Sequence, residues 1–143
     1  MIRQISVFLE NRAGQLSEIT GILAAGGVDL RAINIAEASD YGVLRMLCDD
    51  ARLAANLLSE RNFIVSVTPV VAVQVPDVPG GLDTVLRAIN AAGIDIGYMY
   101  SSFGKTDGDA FMIFRVADPD ALVEALTAAG ITPAAPEALG VQV

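Results

Sequence analysis

Apolar and polar side chains alternate at the start of the chain and then switch to helical spacing. Ile5, Val7 and Leu9 alternate with Gln4, Ser6 and Phe8, the period of a half-buried strand. Leu16, Ile19, Ile22 and Leu23 next fall on one helical face, and Gly26-Gly27 supplies a left-handed stop. Residues 28–36 read as a second strand and Ser39-Asp40-Tyr41-Gly42 as a turn, with Leu44, Met46 and Cys48 on the inner side of a third strand. Asp49 or Asp50 caps a second helix with a stripe of Leu53, Leu57 and Leu58, and residues 63–67 give a fourth strand. The order is βαββαβ.

The pattern then repeats. Val71, Val73 and Val75 match Ile5, Val7 and Leu9, while Leu82, Val85 and Ile89 match Leu16, Ile19 and Leu23. Asn11-Arg12-Ala13-Gly14-Gln15-Leu16 recurs as Asp77-Val78-Pro79-Gly80-Gly81-Leu82, 66 positions on. Gly27-Val28-Asp29-Leu30 recurs at the same displacement as Gly93-Ile94-Asp95-Ile96. Two local signatures at one offset mean two copies of one unit. The displacement later grows to 68, and the extra residues fit the expected hairpin Gly104-Lys105-Thr106-Asp107-Gly108. Pro133 and Pro136 interrupt what should be the last strand, and Pro133 suits an edge.

The predicted fold is therefore α+β: two ferredoxin-like units, residues 1–68 and 69–143, with antiparallel sheets and helices on one face. The link at residues 67–70 lacks glycine and serine, which predicts a rigid joint. Phe8, Val70 and Ala72 point away from the helices and are expected to leave apolar surface for contact with the other copy or another chain.

Composition narrows the chemistry. With 53% hydrophobic residues the chain can bury a core. No apolar run reaches about 18 residues, and the start lacks a secretory leader, so a cytoplasmic location is expected. A net charge of −8, with Lys105 the sole lysine, opposes binding to phosphate backbones and anionic membranes. The group Tyr98, Met99, Tyr100 and Phe103 is for that reason a poor base-stacking platform. There is no histidine, and Cys48 is the only cysteine, which removes the usual general base, the commonest metal ligands and any intrachain disulfide. Asp49-Asp50 and Asp118 with Asp120 sit where helix caps belong. Arg45 and Arg115 read as surface or interface ion-pair partners.

What remains is the repeated loop. A strand ends at Leu9 and a helix starts near Gly14, so unpaired N–H groups of the first helical turn face one crevice. Such an end favours a carboxylate or phosphate. Asp29 and Asp95, at the start of the second strand, are expected beside it and could take an ammonium group. The same residues also suffice to build a tight strand-to-helix turn and nothing more.

The two loops, each followed by Gly-Val-Asp-Leu or Gly-Ile-Asp-Ile, resemble the ACT domain, a small βαββαβ ligand-binding module of regulated enzymes such as phosphoglycerate dehydrogenase. The resemblance spans nearly the whole chain as a tandem pair. It implies binding of a small amino acid at an interface between modules. The implied contacts are Leu9, Asn11, Gly14, Leu16, Asp29 and Leu30 in the first copy, and Val75, Asp77, Gly80, Leu82 and Asp95 in the second. Arg12, Ala13 and Gln15, with Pro79 and Gly81, complete the two loops. Leu9 and Val75 stand where serine-binding members carry a polar side chain, and Asp77 makes the second loop more anionic. The first loop is thus expected to be the better carboxylate site. The resemblance further implies a non-catalytic sensor without cofactor or metal, a homodimer, and a separate regulated enzyme. Its rivals are a purely structural assembly module and a small acyl-phosphate hydrolase. The latter needs a loop arginine, which Arg12 supplies in one copy and Val78 does not in the other.

Overall fold

Alternating apolar positions open the first unit as strand β1 (Ile2–Glu10), in which Ile5, Val7 and Leu9 are buried. It feeds α1 (Gln15–Ala25), β2 (Leu30–Glu37), β3 (Tyr41–Cys48) and α2 (Ala51–Glu60). Strand β4 (Val65–Pro76) follows, then α3 (Gly81–Ala91), β5 (Tyr98–Ser102), β6 (Asp109–Arg115) and α4 (Pro119–Ala128). A 3₁₀ turn, Pro136–Leu139, comes last. The computed structural model describes residues 1–10, 12–102 and 109–142. Asn11 and the predicted hairpin at Gly104-Lys105-Thr106-Asp107-Gly108 lie outside them, as does Phe103.

The chain divides into two compact units. One is Arg3–Thr68 with Gln142; the other is Pro69–Val141 with Met1 and Ile2. The strand expected at residues 63–67 starts at Val65 and continues to Pro76, so the expected link at residues 67–70 is itself strand.

In the first unit the strand order is β2-β3-β1-β4, and the paired strands are antiparallel in the β1–β3 and β2–β3 ladders. The register sets Glu10 opposite Tyr41 at one end of β3 and Leu30 opposite Cys48 at the other. Ile5, Val7, Leu9, Leu44, Met46 and Cys48 pack with Ile19 and Leu23 of α1 and Ala54 and Leu58 of α2. Both helices therefore cover one sheet face. Each such side chain contributes about 2 kcal/mol when removed from water.

Of the predicted α1 stripe, Ile19 and Leu23 are buried and Ile22 packs against the core, and only Leu16 departs from it. Gln15, Ile19 and Leu23 point inward, while Leu16 is 36% exposed. Residues four apart share a helix face, and that row runs through a glutamine.

The second unit repeats the plan with β4 beside β6 and β6 beside β5, both antiparallel. Val71, Val73 and Val75 meet Val85, Ile89, Leu122 and Leu126. Its last strand shrinks to a single bridge, Val73 with Pro133, and a bond from the Ala134 N–H to the Ala72 carbonyl. Because Val73 already pairs with Met112, Pro133 stands on the other edge, where its missing N–H costs least. Of the three residues expected to offer apolar surface for contact, Val70 and Ala72 are buried, whereas Phe8 remains 41% exposed and stacks on Tyr41 with centroids 4.8 Å apart.

Candidate functional site

The loop after β1 turns through Gly14, which takes φ 84°, and the loop after β4 turns through Gly80 at φ 85°. A β-carbon is strained in this left-handed region, so glycine is the residue that makes the turn. Neither helix that follows has a side-chain cap. Elsewhere the same chain caps its helices with side chains: Asp50 accepts from the Leu53 N–H, and Asp118 from the Ala121 N–H. Those aspartates are caps, as their positions predict.

Among the described residues, the N–H groups of Gln15, Leu16 and Ser17 at the start of α1 meet no hydrogen-bond acceptor; the first loop bonds inward are Arg12 N–H to the Glu10 carbonyl and Glu18 N–H to the Gly14 carbonyl. At α3 the Gly81 N–H is taken by the Val78 carbonyl at 3.1 Å. The first loop is thus the more open donor set.

A hollow of about 330 Å³ lies against this first loop. Of the predicted residues, it brings together Leu9, Arg12, Gly14, Gln15 and Leu16. Ala13 is exposed on the loop beside them. The remaining walls are Glu10, Ile35, Glu37, Tyr41 and Gly42, which the sequence reading missed. A signal for them exists. In the order β2-β3-β1-β4, β2 runs parallel to β1, so the end of β2, not its start, lies at the loop.

Asp29 and Leu30 are therefore corrected in place. They sit at the Cys48 end of β3, roughly 23 Å of strand away from the loop of their own unit. There the Asp29 N–H donates to Asp49 Oδ1 at 2.9 Å, and the Asp29 carboxylate pairs with Arg31 at 3.1 Å. Asp95 is likewise exposed ahead of β5, whose first residue Tyr98 faces Arg115 at the end of β6 farthest from Pro76.

In the second unit a hollow of about 460 Å³ borders Gln74, Pro76, Gly81, Thr84 and Val85, and is closed by Gly130, Ile131 and Thr132. Gly81 is the predicted residue that reaches it. Val75 is in the core and Leu82 packs against it, while Asp77, Pro79 and Gly80 are exposed. This hollow is bordered by the residues that follow α4, so its walls differ from those of the hollow in the first unit.

Electrostatics separate the groups further. Arg12 is shared by Glu10 at 3.6 Å and Glu18 at 3.3 Å. Two of the buried polar side chains differ in how they are met: Gln4 donates to the Ser6 hydroxyl at 3.0 Å, but Gln15 Oε1 accepts no bond among the described residues. Cys48 is buried, and burial first, then Asp49, Asp29 and Asp50, pushes its thiol up to about 12, so it is not a nucleophile at neutral pH. Arg115 donates to the carbonyl of Val116. No helix of the described residues is long and apolar enough to cross a membrane.

Comparison with known proteins agrees with this fold. Protein BT0572 from Bacteroides thetaiotaomicron is 36% identical, with 97% of this chain and 95% of that one covered and a TM-score of 0.89. The ligand-free regulatory subunit of aspartate kinase from Thermus thermophilus is 16% identical over 89% and 91% of the two chains, TM-score 0.65, a likeness of fold. The alpha and beta subunits of an aspartokinase give 15% identity over 90% and 91%, TM-score 0.60. No curated protein matches the sequence. The model of the ACT domain pair matches residues 1–137, and with two ferredoxin-like units in one chain, the protein belongs to the ACT-domain family.

Proposed function

We propose that the protein is a non-catalytic sensor that binds a small amino acid in the first unit and regulates a separate enzyme. The observation that carries this reading is the open helix end: N–H groups of Gln15, Leu16 and Ser17 that meet no acceptor among the described residues, beside a hollow of about 330 Å³. A carboxylate suits those N–H groups and the positive end of the helix dipole. The fold shared with regulatory subunits of aspartate kinase supports a regulatory role. The residues expected in the second copy (Val75, Asp77, Pro79, Gly80, Gly81, Leu82 and Asp95) contribute less, because the Gly81 N–H is already bonded.

Regulation needs two states of unequal affinity. A homodimer supplies them if the ligand favours one arrangement of the copies. Exposed Phe8, Tyr41, Ile64 and Val67 are apolar surface of the kind that a second copy covers.

Thermal unfolding against the common amino acids tests the reading. A ligand at a hundredfold over its Kd adds about 2.7 kcal/mol, and Tm rises by several degrees. No rise with any amino acid would leave a structural assembly module.

A further inference from the structure

The turn after the second helix of each copy fixes which wall residues correspond. Asn62 and Gly130 both take positive φ, 67° and 78°. The residues that follow, Phe63 and Ile131, donate to the carbonyls of Leu58 and Leu126, a matched pair. In the first turns of α1 and α3, Gln15, Glu18 and Ile19 are matched by Gly81, Thr84 and Val85.

At every one of these positions the second copy has the smaller residue, and all of its smaller residues wall the hollow of about 460 Å³. A side chain added at Gly81 would strike the Pro76 carbonyl oxygen, so that wall stays bare. Interiors pack closely, and here the unit does not refill the space it gives up. None of the walls comes from β5 or β6, whereas Ile35 and Glu37 of β2 and Tyr41 of β3 wall the first hollow. The second hollow is therefore a different place on the fold.

The same replacements remove charge and keep hydrogen-bonding groups. Pro76 and Thr84 stand where the first copy has Glu10 and Glu18, and no wall of the hollow is an ionisable residue. An ionic group would give up water there without a counter-charge. Val85 is buried and Ile131 half-buried, which makes an apolar floor, with Thr84 exposed at the rim. The Thr84 hydroxyl already donates to the Gly80 carbonyl at 3.1 Å, so it offers a guest only its lone pairs.

We propose that this hollow is a second binding site, for a small uncharged molecule with a branched aliphatic body and a hydrogen-bond-donating head, an amide or an alcohol. The body rests on Val85 and Ile131, and the head donates to Thr84 Oγ1. A mostly apolar hollow with few polar groups suits such a ligand. The site is independent of the amino-acid reading, because a zwitterion is what its walls disfavour.

Amide shifts of the ¹⁵N-labelled full chain, titrated with isovaleramide, isovalerate and isoamylamine, test this, since the three share a branched skeleton and differ in charge. Isovaleramide should move the Gly81, Thr84, Val85, Gly130 and Ile131 amides saturably. The two ions should bind there at least about fivefold more weakly. Ile131→Phe, which restores the residue of the first copy, should fill the floor and weaken isovaleramide by about tenfold. Val85→Ile does the same from α3 and serves if Ile131→Phe does not fold. Unmoved amides with isovaleramide would overturn the site, as would ions that bind there equally well. Full affinity in a folded filling variant would overturn its location. Movement of these amides on concentrating the protein alone would assign the hollow to a second copy and overturn the proposal. Movement confined to Gln15, Leu16 and Ser17 would overturn it too and leave the first-unit sensor standing.

Discussion

Gly14 and Gly81 occupy the two repeated loops for different reasons, and substitution separates them. At Gly14 a β-carbon would meet nothing within 4 Å, but φ is 84°, so Gly14→Ala pays only backbone strain. Urea unfolding should show a loss of about 1 kcal/mol. At Gly81 the obstacle is the rigid Pro76 carbonyl, and Gly81→Ala should cost about 2–3 kcal/mol because backbone must move. Equal losses at the two sites would contradict this division. Cys48 makes a second prediction at this scale. Its thiol is raised from 9.0 to about 12, so an unfolded chain ionises first as pH rises. The unfolded state then binds fewer protons than the folded one, and stability falls between those pH values. The contribution is complete below 9.0. Native protein at pH 8 should resist iodoacetamide and react only as it unfolds; fast alkylation of the folded chain would show that Cys48 is accessible.

Helix ends divide into two kinds, and the division was legible in the sequence. Asp50 and Asp118 sit one residue ahead of α2 and α4 and cap them with bonds of 3.0 and 3.1 Å. Asp50→Ala should lower stability by about 1 kcal/mol in chemical unfolding without changing ligand affinity. A loss of binding instead would mean that α2 belongs to the site. The glycines ahead of α1 and α3 announced uncapped turns equally plainly, since few other residues adopt positive φ. Most of the α1 stripe was legible, but its first member was not: apolarity favoured Leu16, whereas packing placed Gln15 inward. A polar residue in an apolar row has no local signal, because its burial depends on the strand behind it. The weak last strand was legible, as Pro133 and Pro136 cannot donate to a ladder.

At the scale of the whole molecule, the tandem plan followed from the repeat, but half of the wall of the first hollow did not. Glu37, Tyr41 and Gly42 reach the first loop through strand order, and Asp29 leaves it for the same reason. Reading loop motifs alone could place the helix amides and could not place what faces them. Association is predicted at this scale too. Sedimentation should show a dimer whose dissociation is strengthened by Phe8→Ser, since Phe8 and Tyr41 stack on an exposed face; a monomer at all concentrations would contradict the switching scheme. The central claim is that the first turn of α1 holds the ligand carboxylate. Amide chemical shifts of the ¹⁵N-labelled chain, titrated with each of the common amino acids, test it most directly. Large, saturable movement of the Gln15, Leu16 and Ser17 amides, with little at Gly81 and Leu82, is the predicted result. Saturable binding that leaves those three amides unmoved would contradict it.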